Sequence, residues 1–250
     1  LHGTDITLVG KDPSCKPVIN YSINNSDGVT AVSNSLKEET INLFSITNNI
    51  NVIPNFIDIE KYSKVKRNPY RSKLCPKGER LLIHTSNFRK VKRIQDVINV
   101  FCKINKEIPS KLIMIGDGPE RANIESLTRS LCSLRDVMFI GKIPDVETVL
   151  YKADLFLLTS EKESFGLSAL EAMASSVPVI SSNAGGLPEL VEEGISGFTC
   201  DIGDVNSMSE KAIKVLDKKN LSGFKENALR IANNYDINII SVSYTHLRAH

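Results

Sequence analysis

From about Leu81 onward, short β-rich apolar runs alternate with amphipathic stretches, the rhythm of a parallel sheet covered by helices. Candidate strands are Leu81–Thr85, Lys111–Ile115, Val137–Ile140, Leu155–Leu158, Pro178–Ser181 and Phe198–Cys200. Between them lie helix-like segments at Ile94–Lys106, Glu120–Leu131, Val146–Tyr151, Gly166–Ala174, Leu187–Val191 and Val205–Lys218. In the first, Ile94, Val97, Ile98, Phe101 and Ile104 recur at helical spacing and form one apolar face, expected to pack on a sheet. Several strands end in turns that open a helix: Gly116-Asp117-Gly118-Pro119, Ser160 to Gly166, and Asn183-Ala184-Gly185-Gly186. Open α/β sheets bind ligands at such edges, outside the carboxyl ends of their strands.

Before Leu81 the pattern is shorter. Gly28–Ser33 reads as a strand, Ser35–Phe44 as a helix and Ile50–Ile53 as a second strand. Residues 55 to 78 hold Pro69, Pro76 and a basic run, and read as a linker after Pro54. The expected fold class is therefore α/β with two Rossmann-like parallel sheets, the first one truncated. Residues 1–60 are assigned to the end of a first domain, 61–235 to a nearly whole second one, and 236–250 to a tail. Leu1 in place of Met suggests a piece of a longer chain. Ile239 to His250 shows neither the pattern of a closing helix nor acidic partners for its basic residues, and residues 241–250 read as non-native.

A length of 250 residues accommodates this division, and 41% hydrophobic residues supply a sizeable core. The 31 Lys and Arg nearly balance 29 Asp and Glu, giving a net charge of +2, so no global field points to nucleic acid or a membrane surface. No apolar run approaches the roughly 18 to 20 residues that span a bilayer. Charge is locally skewed: twelve basic residues lie between Lys61 and Arg93 against Glu79 alone. Up to Arg80 this reads as a solvated linker and helix face, because aromatics for base stacking are few. Five widely spaced cysteines without a C-x-x-C pair indicate neither a disulfide framework nor zinc, and all read as reduced thiols of a cytoplasmic protein. Oligomeric state is not legible, and a homo-oligomer is left open.

Three glycine turns could present free N–H groups to an anion. Gly116-Asp117-Gly118 lacks the third glycine of a dinucleotide fingerprint, so an ordinary turn is as good a reading. Gly185-Gly186 before Leu187-Pro188 is the stronger case, since paired glycines permit close backbone approach to a ligand. The most informative segment runs from Glu161 to Ala174. Glu163 sits in a loop leaving a strand, and Glu171 lies about two turns into an otherwise apolar helix. A carboxylate there costs free energy unless it has a partner. Two such carboxylates could bracket a polyhydroxylated ligand, with exposed N–H groups between them; ordinary surface carboxylates remain the alternative.

Glu163 and Glu171, spaced E-x7-E around Phe165-Gly166-Leu167, resemble the signature of the retaining GT-B glycosyltransferases, a family that includes sucrose and trehalose synthases and bacterial mannosyltransferases. Further matches are Val52-Ile53-Pro54-Asn55-Phe56-Ile57-Asp58, Ser86 to Arg93, Gly116 to Glu120, and Gly185 to Glu189 followed by Gly194-Ile195-Ser196-Gly197-Phe198. The resemblance runs over roughly residues 1 to 235. Leu1 to Gly10, Ser26 to Ser33 and Ser86-Asn87-Phe88-Arg89 are similar to a malate-using group within that family.

The resemblance implies transfer of N-acetylglucosamine from UDP-N-acetylglucosamine to L-malate, with the UDP-sugar a substrate and no cofactor. Glu171 would meet the ribose hydroxyls of the donor. Glu163, with Ser164 and the Phe165, Gly166 and Leu167 backbone, would hold the transferred sugar. Arg89 and Lys92 would grip the diphosphate, where charge grows as the glycosidic bond breaks. Many relatives carry Arg where this chain has Asn87, which is counted with the donor contacts. His2 matches an active-site histidine at the edge of the first domain, and Thr4 is a candidate acceptor contact. No D-x-D pair is present, and no metal is expected. A family member acting on a lipid or polysaccharide acceptor, a nucleotide-sugar 2-epimerase and a UDP-sugar binding module without activity are the competing expectations.

Overall fold

The computed structural model describes residues 1–3, 6, 9–63, 70–131 and 135–248. Strands β1 (Val29–Ala31) and β2 (Ile50–Val52) form a two-stranded parallel pair, with helices α1 (Lys16–Asn24) and α2 (Asn34–Leu43) beside it. Ser33 caps α2 by accepting the Leu36 N–H at 3.1 Å, which satisfies one of the free amides of a first turn. Two short helices, α3 (Ile59–Ser63) and α4 (Tyr70–Leu74), lie in the stretch read as a linker.

The main sheet holds β3 (Arg80–Thr85), β4 (Ser110–Ile115), β5 (Val137–Gly141), β6 (Leu155–Leu158), β7 (Val179–Ser182) and β8 (Gly197–Cys200), all parallel, in the spatial order β5-β4-β3-β6-β7-β8. Every residue of β6 and β7 is buried, as a central strand covered on both faces requires. Helices α5 (Ile94–Glu107), α6 (Arg121–Leu131), α7 (Glu147–Leu150), α8 (Leu167–Ala174), α9 (Leu187–Leu190), α10 (Val205–Leu216), α11 (Leu221–Ala232) and α12 (Ile237–Arg248) complete the chain.

Two apolar layers sandwich the sheet. On one face Leu82, Leu112, Met114, Leu155, Leu157 and Ile180 pack with α5, α6 and α10. The predicted apolar face of α5 is fully in place: Ile94, Val97, Ile98, Phe101 and Ile104 are all buried. On the other face Leu81, Ile83, Phe156, Leu158 and Val179 meet α8 and continue without a break into Ile6, Val29, Ala31, Leu36 and Ile50 of the preceding lobe. Fully burying one such side chain is worth about 1.5–3 kcal/mol, so this shared layer binds the two lobes together.

Three sequence expectations change. The stretch beginning at Ile239, read as patternless, is helical from Ile237 to Arg248, although Ile239 and Val242 stay more than half exposed. The chain reaches that helix through a tie at Ile57, whose N–H donates to Tyr235 O at 3.1 Å and whose carbonyl accepts the Ile237 N–H at 2.9 Å. The basic run is not merely solvated: Lys61 lies 3.3 Å from Glu147, and Arg71 and Lys225 both bind the buried Asp154 carboxylate. Lys64, Lys66 and Arg67 lie outside the described residues. Cys102 is paired in a disulfide while Cys15, Cys75 and Cys200 are free, so the reading of all five as reduced thiols does not hold.

Candidate active site

Chain direction reverses its order across the sheet between β3 and β6, so the loops leaving those two strands part to opposite sides and leave a crevice. The loop after β3 carries Asn87, Arg89 and Lys92; the loop after β6 carries Glu163 and Ser164. Lys92 spans the crevice, its Nζ donating to Glu163 Oε2 at 2.6 Å. Both side chains are less than one-fifth exposed, which places the pair between the surface and the interior. Arg89 and Asn87 are exposed at the rim, and the Arg89 guanidinium takes no partner among the described residues.

The two loops are stitched together. Thr159 Oγ1 donates to Lys92 O and Arg93 O at 3.1 and 2.9 Å, and the Glu161 N–H donates to Val91 O at 2.8 Å. Beneath them His84 is fully buried on β3, with Nδ1 2.8 Å from Leu157 O and Nε2 2.7 Å from Ser86 Oγ. A carbonyl only accepts, so Nδ1 carries the proton and the Ser86 hydroxyl donates to Nε2. Burial pushes the ring pKa down to about 4, which keeps it neutral. The root of the Asn87–Lys92 loop is thereby pinned by a buried hydrogen-bonded imidazole, a role that the sequence did not suggest for His84.

Helix α8 opens on Gly166 in a left-handed conformation with φ +99°. The N–H groups of Phe165, Gly166 and Leu167 donate to no partner among the described residues, as expected at a helix start, and they follow Glu163 and Ser164 directly in the chain. Phe165 itself is buried, edge-on to Tyr235 at 5.6 Å, so only its backbone is on offer.

Glu171 lies farther along α8, half-buried where that helix packs against α3, the helix that carries Tyr62 and Lys61. Burial raises the Glu171 pKa overall, with Tyr62 and Lys61 opposing the rise and the Glu147 charge adding to it. Tyr62 and Glu147 were not singled out from the sequence. The only signal was Glu171's own need for a partner.

Two of the three glycine turns follow the structural reading that the sequence left open beside anion binding. A Cβ on Gly116 would stand 1.8 Å from Ser86 O, one on Gly185 1.9 Å from Glu163 O, and one on Gly186 2.5 Å from Ser164 O. The Gly116 and Gly186 N–H groups are already spent on Gly141 O and Glu163 O, and that of Gly118 on Asp117 Oδ1. The close approach is therefore to the backbone of the two site loops rather than to an anion, and the turns serve as supports for Ser86–Lys92 and Glu163–Ser164.

The preceding lobe reaches the same place. Gly3 packs against the Ser164 side chain, which sets the exposed His2 beside the Glu163–Ser164 loop. Ser33 Oγ donates to Ser164 O at 2.6 Å. Glu189 caps the start of α2, accepting from Asn34 N and Nδ2 at 2.9 Å and Ser35 N at 2.8 Å, a carboxylate at a helix N-terminus. Thr4 lies outside the described residues. No group of three or more His, Cys, Asp or Glu able to hold a metal occurs among the described residues, and no helix among them is long and apolar enough to cross a membrane.

Residues 66–234 match the family model described as glycosyl transferases group 1, and residues 1–61 match glycosyltransferase family 4. The N-acetyl-alpha-D-glucosaminyl L-malate synthase of Bacillus anthracis is 45% identical over 222 residues, covering 88% of this chain and 58% of that protein. A glycogen synthase of Mycobacterium tuberculosis is 30% identical over 80% of this chain and 48% of its own length. The chain thus spans about half the length of these curated relatives. Among solved structures, Anabaena HepE in complex with UDP and glucose superposes with a TM-score of 0.83 at 24% identity, covering 94% of this chain and 67% of that one. The sucrose-phosphate synthase of Thermosynechococcus elongatus gives 0.82 at 22%, covering 95% and 61%. Both superpositions concern the fold, which is of GT-B type.

Proposed function

We propose a function from one premise: the chain belongs to the group 1 glycosyltransferases. The reading is a retaining transfer of N-acetylglucosamine from UDP-N-acetylglucosamine to the hydroxyl of L-malate. The observation that carries the chemistry is the Lys92–Glu163 pair across the strand-order reversal, beside the free N–H groups at the start of α8. The acceptor assignment is supported by the 45% identity to a malate synthase of this kind.

In this reading the donor diphosphate lies at the rim, where Arg89 and Lys92 meet its oxygens by charge-assisted hydrogen bonds. Glu163 fixes Lys92 and accepts from a hydroxyl of the transferred sugar. The amides of Phe165, Gly166 and Leu167 donate to the sugar's other hydroxyls, with Ser164 and Asn87 completing the donor contacts. Glu171 accepts from the ribose hydroxyls. The bond from the sugar's anomeric carbon to the β-phosphate oxygen breaks while a bond to the malate hydroxyl oxygen forms on the same face. The malate proton passes to the departing phosphate, and UDP leaves. Charge grows on the β-phosphate as that bond lengthens, so preorganised cations lower the barrier more than they lower the ground state. His2 is assigned to the acceptor side, and Thr4 remains the candidate acceptor contact that the resemblance implies.

The deciding experiment follows UDP release and product mass with UDP-N-acetylglucosamine and L-malate. A glycoside of malate with the α configuration is the expected product. UDP release that requires a lipid or glycan acceptor would assign the chain to another member of the family; UDP binding without any turnover would make it a donor-binding module.

A further inference from the structure

The first turn of α2 is held from the opposite lobe. A helix start leaves its leading amides without partners inside the helix. Ser33 covers the Leu36 N–H from within the chain at 3.1 Å, whereas the amides of Asn34 and Ser35 are taken by Glu189, 155 and 154 positions on, at 2.9 and 2.8 Å. The grip is two-pronged: Oε2 accepts from the Asn34 backbone and side chain, Oε1 from the Ser35 backbone. These bonds are exposed, so water would replace them at little cost, and the shared apolar layer already binds the lobes. Apolar packing is non-directional, while hydrogen bonds fix angle as well as distance. Glu189 therefore adds orientation more than cohesion.

The turn that it grips leads straight into the site. Ser33, the residue before Asn34, is buried and donates through Oγ to Ser164 O at 2.6 Å. It also closes on the glycine pair, since a Cβ on Gly186 would stand 3.0 Å from Ser33 Cβ. Glu189 itself sits in α9, which follows directly on Gly186, and the Gly186 N–H donates to Glu163 O at 3.0 Å. On the other side the turn is fed by β1, whose Thr30 carbonyl accepts from the Leu1 nitrogen at 2.6 Å, next to His2, and Gly3 then meets the Ser164 side chain. We propose that Glu189 is a positioning residue for the acceptor half of the reaction: its hold on α2 sets the preceding lobe, and His2 with it, at the angle that brings an acceptor hydroxyl to the sugar held at Glu163 and Ser164. The proposal rests on the reading that the acceptor lies on the His2 side and the donor sugar on the Glu163–Ser164 loop. Donor binding uses groups of the second lobe and is independent of Glu189.

The test compares acceptor transfer with donor binding. Glu189→Ala removes the grip, and Asn34→Asp sets a like charge against it. A double variant joins Asn34→Asp to Glu189→Gln, so that the new amide donates to the new carboxylate while its oxygen still accepts from Ser35. Titration calorimetry measures UDP affinity, and steady-state assays measure transfer to L-malate and the slow release of UDP to water without acceptor. In both single variants UDP affinity and release to water stay within about twofold of wild type, while kcat/KM for malate falls about tenfold or more. A misplaced reacting group costs up to about 10²-fold, and water needs no placement by the lobe. The double variant recovers to within about threefold of wild type, the coupling expected of residues in direct contact. Unchanged kcat/KM for malate in Glu189→Ala overturns the proposal, as do equal losses of UDP affinity, release to water and transfer, which a merely structural glutamate gives. So does a double variant no better than Asn34→Asp alone. A wild type that binds UDP without turnover sinks the proposed function and this proposal with it, whereas a working wild type beside an indifferent Glu189→Ala sinks this proposal alone.

Discussion

Lys92 Nζ and Glu163 Oε2 stand 2.6 Å apart across the point where strand order reverses. The two residues are 71 positions apart in the chain and come from loops that leave adjacent parallel strands. The pair holds an ammonium at the crevice in a fixed place before any substrate arrives, which is the condition for stabilising charge in a transition state without reorganisation.

Replacing Lys92 by alanine is expected to lower kcat by about 10²-fold or more, the scale of losing one preorganised group at a developing oxyanion. UDP affinity should fall much less. Steady-state kinetics with a parallel UDP titration checks this, and equal losses in binding and turnover would point to a ground-state contact alone.

Glu171→Gln should weaken UDP binding and at the same time stabilise the fold. The carboxyl pKa is raised by burial in the folded state. Between the ordinary glutamate value and that raised value the native state binds more protons than the unfolded chain, so its contribution to stability falls as pH rises. Glutamine removes this cost and keeps the size and shape of the side chain. Thermal melts at neutral pH should show a higher Tm for the variant, and the gain should shrink to nothing once pH falls below the usual glutamate range.

Gly185→Ala tests whether the glycine pair supports the site loop. Its φ of +54° already disfavours a side chain by about 1–2 kcal/mol, and the new Cβ would meet Glu163 O at 1.9 Å. Gly78→Ala is the control, with φ +77° and nothing within 4 Å of its Cβ. Both should lose a few degrees of Tm, but only Gly185→Ala should lose kcat/KM, by more than about tenfold, because displacing a positioned group by an ångström costs up to 10²-fold. Matching activity in the two variants would refute the supporting role.

Asp154→Asn is expected to cost stability without touching the crevice. The carboxylate is 4% exposed and receives Arg71, Lys225 at 3.1 Å and the Leu81 N–H at 3.0 Å. Burial alone would raise its pKa, and the Lys225 and Arg71 cations with the Leu81 amide outweigh that and lower it. A depressed carboxylate pKa contributes stability above the unfolded value, and that contribution is lost as pH falls through the folded one. Breaking a buried pair costs about 3–5 kcal/mol; here both cations are about one-third exposed and recover water, so about 2 kcal/mol is expected at pH 7 from denaturant melts. The loss should disappear in acid, and a pH-independent loss would mean that packing, not charge, is what the substitution removes.

The strand and helix rhythm was legible because period and apolar content are local properties: α5 came out within one residue of Ile94–Lys106, and the buried β6 and β7 came from continuous apolar runs. Helices α1 and α11 were not anticipated, although α11 buries Phe224 and Ile231 on separate layers of the core. The E-x7-E spacing located Glu163 and Glu171 from sequence, and the apolar surroundings of Glu171 in the helix pattern matched its burial, which raises its pKa. The roles of His84 and Glu189 were not legible, because each acts through a partner far along the chain, and a single sequence carries no signal for such pairings.

By itself, then, the sequence determined the layered α/β class, the positions of the loops that bear charge, and the identity of the groups available for chemistry. Tertiary structure alone decided which of these groups face one another. Parallel strands are joined by crossovers, so neighbours in the sheet are remote in sequence, and strand order places the β3 and β6 loops together. The same packing decided between ligand cradle and support for two glycine motifs, because only three-dimensional contact reveals whose backbone occupies the space that a Cβ would fill.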